Sequence, residues 1–224
     1  MNPDLRHLVE DFLLLVAAIL PIVNPWGGAP MFLAMTADVS SEVRATLAKK
    51  IAINAFVLLL ASLFVGTYVL EFFGLSVPIV QVAGGVVVCA SGWELLRAGS
   101  VTQAVGTSAP AASEISSRAF YPLTLPLTVG PGTISIAITI GAHNPQSVRS
   151  RVLDGTADVL GAALIAATVF VCYRYADRML RVVGETGTSV LVRLSAFIML
   201  CVGVQICWSG ARILLASLPA PVLH

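Results

Sequence analysis

This sequence is poor in charge. It carries 13 basic and 12 acidic residues among 224, or 11%, where a soluble domain has roughly 25%. So little polar surface excludes a disordered chain and an ordinary soluble globule. The formal net charge of +1 offers neither a basic field nor an acidic tail, which excludes nucleic acid as a partner. The four cysteines (Cys89, Cys172, Cys201, Cys207) lie in apolar stretches and form no CxxC, so they read as packing rather than redox chemistry. The three histidines (His7, His143, His224) share no motif with cysteine or carboxylate; no metal site and no cofactor are expected. GxSxG, HExxH, Walker A and GxGxxG motifs are all missing. The chain is therefore not expected to be an enzyme. An intramembrane enzyme on a lipid-linked substrate would need a nucleophile–base pair that the sequence does not offer.

What the chain has in quantity is apolar length. It is 57% hydrophobic with a mean hydropathy of +0.91, and the bilayer is its expected partner. A spanning helix needs about 20 largely apolar residues. Six stretches qualify: residues 12–35, 51–73, 77–96, 120–142, 152–173 and 190–215. The first apolar run lacks a basic leader and a small-residue cleavage site, so it is expected to stay as a membrane helix. Residues 98–118, rich in Ala, Ser, Thr and Gly, read as a polar linker. It divides a single integral membrane domain, 1–224, into three-helix halves of residues 1–100 and 119–224. Three helices per half makes the halves run in opposite directions, as in inverted-topology repeats. Residues 80–93 align with 192–205, with Val80/Val192 and Cys89/Cys201 coinciding, and Val23-Asn24-Pro25 aligns with Val129-Gly130-Pro131. The expected fold is thus all-α: six transmembrane helices in two inverted repeats, with helices 1 and 4 broken.

Arg44, Lys49, Lys50, Arg97, Arg118, Arg174, Arg178 and Arg181 collect on one side of these spans, against Arg6, Arg149, Arg151 and Arg212 on the other. The positive-inside rule then leaves both termini outside the cytoplasm.

The breaks carry the chemistry. The first helix contains Pro21-Ile22-Val23-Asn24-Pro25-Trp26-Gly27-Gly28-Ala29-Pro30. Proline removes a backbone donor, and Pro25 pushes Asn24 out of helical geometry. The fourth contains Pro122-Leu123-Thr124-Leu125-Pro126-Leu127-Thr128-Val129-Gly130-Pro131-Gly132-Thr133. Paired interruptions at corresponding positions of two halves point to a transporter's binding site, with half-helix ends offering partial charges to solute. The competing reading is a pair of proline kinks that only shape packing. The candidate solute-binding residues are Asn24, Pro25, Gly27, Gly28, Thr128, Gly130, Pro131, Gly132, Thr133 and Arg193. Asn24 either binds solute or satisfies freed backbone. Arg193 either neutralises a solute carboxylate, pairs with Asp158 or snorkels to headgroups. Asp158, Gln81 and Gln205 are candidates for coupling or a polar path. Asn54 reads as glue between helices.

Asn24-Pro25-Trp26-Gly27-Gly28-Ala29-Pro30-Met31-Phe32 resembles the N-P-x-G-x-x-P-x-F signature of the MarC family of integral membrane proteins. Residues 122–134 resemble its second signature, P-L-x-x-P-x-x-x-G-P-G-x-I, and Arg193 with Val204-Gln205 and Gly210 is similar to its last helix. The resemblance covers almost the whole chain. Gln81 departs from it, since an Arg is expected before the Ala-Gly-Gly of the third helix. The resemblance implies a multi-pass protein of the bacterial inner membrane. Through members assigned to alanine and glycine transport, it also implies a secondary transporter or exporter of a small neutral amino acid. The coupling ion would be a proton or sodium, and a homo-oligomer is left open. The alternative is a non-transporting membrane scaffold or assembly factor.

Overall fold

The structure, a computed structural model, describes residues 3–36, 39–97, 119–121, 123–125, 127–142 and 148–217. The linker 98–118 lies outside them, as do Pro122, Pro126, His143 and His224. The described residues form seven helices and no strand: α1 (Pro3–Val23), α2 (Pro25–Met35), α3 (Ser41–Phe72), α4 (Val77–Arg97), α5 (Pro131–Gly141), α6 (Val148–Arg174) and α7 (Ala176–Ala216).

Five segments among the described residues are long and apolar enough to cross a bilayer: Asp4–Leu33, Ser41–Phe72, Val77–Glu94, Val152–Arg174 and Val192–Ala216. The expected fourth span, 120–142, is not a sixth such helix. Its helical part, α5, has 11 residues and so reaches only about 17 Å, against a hydrocarbon core of about 30 Å. Ahead of it the chain winds through wide turns. Thr124 N–H donates to Ala119 O (3.1 Å), Leu125 N–H to Phe120 O (2.8 Å) and Val129 N–H to Thr124 O (2.9 Å). The physical reason lies at Pro131. It brings no N–H, and it drives Gly130 to extended backbone (φ −86°, ψ 174°), which ends the preceding coil and starts a new helix.

The other boundaries follow local chemistry. Ser40 caps α3 by accepting from Val43 N–H at 3.4 Å. Gly74, at φ +66°, closes α3, and Leu75 N–H returns to Leu70 O, a Schellman-type ending. Within α7, Gly184 (φ 72°, ψ 174°) bends the helix ahead of the last span, in a backbone region nearly confined to glycine.

The main core joins Leu15, Ile19, Phe32, Leu47, Ile51, Leu59, Leu63, Leu123, Ile165, Val169 and Tyr173. It therefore ties α1, α2, α3 and α6 to the coil of the second break. Outward faces carry Leu13, Leu14, Val57, Tyr68, Phe72, Phe197, Val204 and Trp208, an apolar coat suited to lipid. α4 and α7 cross antiparallel through small residues. A Cβ on Gly85 would meet Cys207 and Gly203 O at 2.6–2.8 Å, and one on Gly203 would meet Cys89 and Gly85 O at 2.7–2.9 Å. The thiol of Cys89 reaches Leu200 O (3.7 Å), and that of Cys207 reaches Val82 O (3.4 Å). Cys201 is exposed, and Cys207 is the thiol that faces α4.

Candidate functional site

The first break is a single residue. Asn24 is buried in the left-handed region (φ 44°, ψ 59°), and its Oδ1 accepts from Gly27 N–H at 3.2 Å. Asparagine tolerates this conformation better than other non-glycine residues. The helical ladder barely stops: Asn24 N–H bonds Leu20 O (3.0 Å), and Gly28 N–H bonds Asn24 O (2.9 Å). Pro25 occupies the first position of α2, where its missing N–H costs nothing. Gly27 is small because a Cβ there would collide with the Asn24 amide.

The second break is longer and finished by threonines. Thr124 Oγ1 donates to Ala119 O (2.6 Å), and Thr128 Oγ1 approaches Leu123 O (2.8 Å). Both threonines are fully buried. Asn54 Nδ2 donates to Thr124 Oγ1 at 3.4 Å, so the expected helix glue in α3 binds this coil. Gly130 caps α5 without a side-chain bond. Gly132 is buried because a Cβ would overlap Val88 and crowd Gly84 O. Thr133 is buried beside it, while Pro131 is exposed.

The two breaks meet at Tyr173, near the end of α6. Its ring is fully buried and stacks on Phe32 of α2, with centroids 4.6 Å apart and planes 10° apart. Its hydroxyl lies 3.0 Å from Thr128 Oγ1. A Cβ on Gly28 would come within 2.7 Å of that hydroxyl. One phenol therefore covers Gly28 of the first break and bonds Thr128 of the second. Sequence reading missed Tyr173, since an aromatic near a helix end carries no signal of such a contact.

A second missed group closes α2. The Arg44 guanidinium is largely buried, its side chain 14% exposed. It donates to Asp177 Oδ2 (2.7 Å), Thr36 O (2.8 Å) and Thr36 Oγ1 (3.1 Å). A cation at the C-terminal carbonyls of α2 is favourably placed, and the Asp177 bond ties this end to α7.

The remaining candidates lie apart. Arg193 is exposed on α7 and away from the buried junction. Asp158 is half-buried on α6, one turn beyond Asp154. His7 Nδ1 lies 3.0 Å from Asp11 Oδ2 and 3.6 Å from Asp154 Oδ1. His7 thus meets two carboxylates in space, although it shares no motif with them in sequence. The ligand-type atoms of these three residues all lie within 4.8 Å of one another. Gln81 and Gln205 are brought together, lining one cavity of about 350 Å³ between α1, α4, α5 and α7.

A family model described as MarC family integral membrane protein matches residues 9–215. A UPF0056 membrane protein of Archaeoglobus fulgidus is 27% identical over 215 residues, covering 96% of this chain and 99% of the relative. One from Methanocaldococcus jannaschii is 29% identical over 204 residues, covering 91% and 97%. The UPF0056 inner membrane protein MarC of Escherichia coli is 30% identical over 203 residues, covering 87% and 91%. No solved structure matches the chain.

Proposed function

The chain belongs to the MarC family of integral membrane proteins, and from that premise we propose that it is a secondary transporter or exporter of a small solute, a small neutral amino acid in the first instance. The observation that carries this reading is the junction at Tyr173. Interruptions from the two halves of the chain converge on one buried phenol. Breaks that served only local packing would have no need to meet.

An inverted repeat is the architecture that suits this reading. Gly85, Cys89 and Gly92 on α4 correspond, at the same spacing, to Gly203, Cys207 and Gly210 on α7. Their contacts are reciprocal, each thiol reaching a carbonyl two turns before the other. α2 packs on α6 and α7, as α5 packs on α3 and α4. Each half-helix therefore rests on the opposite or matching pair, and rocking of one half against the other would open either side in turn. The amides at the start of α5 would receive a carboxylate. Asp158 and Arg193 would serve charge balance or coupling to a proton or sodium gradient. The protein would sit in the inner membrane of a bacterium, both termini outside the cytoplasm.

Flux in proteoliposomes tests the proposal. Radiolabelled alanine or glycine should accumulate, or leave loaded vesicles, at rates that Asn24→Ala and Gly130→Leu reduce at least tenfold. Unchanged flux in both variants removes the breaks from the site. No flux with any small solute, together with a stable protein complex on pull-down, favours the scaffold reading.

A further inference from the structure

Four helix ends meet at one end of the spans. There α2 and α6 finish, and α3 and α7 start. Thr36 follows Phe32 by four residues, and Asp177 follows Tyr173 by four. Each step is about one helical turn. The Thr36–Arg44–Asp177 contact therefore lies one layer beyond the Phe32–Tyr173 stack, between the junction of the two breaks and this end of the molecule.

Arg44 is held unequally from its two sides. Within its own half of the chain the guanidinium makes three bonds. Nε donates to Thr36 Oγ1 (3.1 Å), and Nη2 donates to Thr36 O (2.8 Å) and Val39 O (3.4 Å). Thr36 Oγ1 is fixed as the acceptor, because its own proton goes to Phe32 O at 2.7 Å. Towards the second half there is one bond, from Nη1 to Asp177 Oδ2 at 2.7 Å. The Asp177 side chain is 40% exposed, so water reaches this bond from its side. Charges that part into water regain hydration, whereas an apolar contact gains nothing from being wetted. A single ion pair across the seam, anchored firmly on one side, suits a contact that opens and recloses.

We propose that the Arg44–Asp177 pair is a latch between the two halves. Closed, it seals the Tyr173 junction from the end where α2 and α6 finish; parted, it opens that end to solute. The proposal deepens the transporter reading and rests on it for what passes through.

The chain's own cysteines test it. Cys172 is 8% exposed and packs in the same core as Phe32 and Tyr173. Cys201 is exposed on α7 and serves as the internal standard. Cys89 and Cys207, at the crossing of α4 and α7, report any general loosening. The purified full-length protein in detergent is treated with N-ethylmaleimide, and each thiol is followed by peptide mass spectrometry. Asp177→Ala should raise the labelling rate of Cys172 about tenfold relative to Cys201, the loss of one charged hydrogen bond. Cys89 and Cys207 should not change. Asp177→Asn, nearly the same shape without the charge, should act in the same direction, which covers the case of a misfolded Asp177→Ala. Asp177→Glu, which keeps the carboxylate, should keep Cys172 protected.

Unchanged Cys172 labelling in both Asp177→Ala and Asp177→Asn overturns the latch. So does a rise shared equally by Cys89 and Cys207, which would make the pair a support of the whole fold. Flux in proteoliposomes that depends on Asn24 and Gly130 but is indifferent to Asp177→Ala also overturns the latch, and leaves the transporter reading intact. Cys172 labelling that follows Asp177 in a protein without flux overturns the transporter reading and leaves the latch standing.

Discussion

Both breaks contain an X-Pro step, yet they are finished in different ways. At the first, one side chain does the work: Asn24 takes up the left-handed backbone and caps α2 itself. The ladder of hydrogen bonds runs almost unbroken through it. At the second, the described residues between Phe120 and Pro131 lie outside regular helix, threonine hydroxyls satisfy the carbonyls, and α5 begins on a glycine with no side-chain acceptor. The difference teaches where ligand chemistry remains open. Asn24 already occupies the start of α2, whereas the first amides of α5 have no side-chain cap. In a bilayer each unsatisfied backbone group costs several kcal/mol. The first break thus reads as a rigid, self-satisfied bend, and the second as the more adaptable element.

The comparison can be broken by substitution. The largest effect is expected at Gly132, where a methyl group overlaps Val88 and crowds Gly84 O. Gly132→Ala should cost about 3 kcal/mol, read as a fall in the melting temperature of the purified protein. An unchanged value would mean that α5 is not held against α4. Next comes Thr128→Val, which strips the Tyr173 hydroxyl of its partner. It should cost about 2 kcal/mol, and Tyr173→Phe on the same background should recover part of the loss. Additive losses would separate the two breaks energetically.

Smaller effects sharpen the contrast further. Asn24→Ala loses a cap and strains a positive φ, at about 1–2 kcal/mol. Asn24→Gly should cost only a few tenths, because glycine accepts this backbone freely. Equal losses would show that conformation is not what Asn24 supplies. The smallest change is a gain. Gly130→Ser fits the extended backbone and adds a cap, so it should stabilise by a few tenths of a kcal/mol while lowering flux, because the serine oxygen competes for the amides of α5.

Much of the first break was legible in the chain. Pro25 dictates that Asn24 leaves helical geometry, and the structure finds it there. The second break was legible as an interruption but not in extent. Glycine and proline mark where a helix stops, not how many residues pass before it restarts, so the break in the expected fourth span was legible but the length of coil ahead of α5 was not. Which thiol of the last span faces α4 was not legible for a related reason. Both Cys201 and Cys207 sit in apolar sequence, and only the rotation of α7 against α4 decides which one faces inward.

Composition and order alone therefore settle that this chain lives in a membrane, where most of its helices lie, and that two proline-rich steps interrupt them. Those properties are local, set by hydropathy over about 20 residues and by the missing N–H of proline. Tertiary packing alone decides that Tyr173 joins the two steps, that Arg44 reaches Asp177, that His7 meets Asp154, and that Gln81 and Gln205 line one cavity. Each of these joins residues far apart along the chain, and a helix shows from its sequence which faces are apolar but not which neighbour each face will meet.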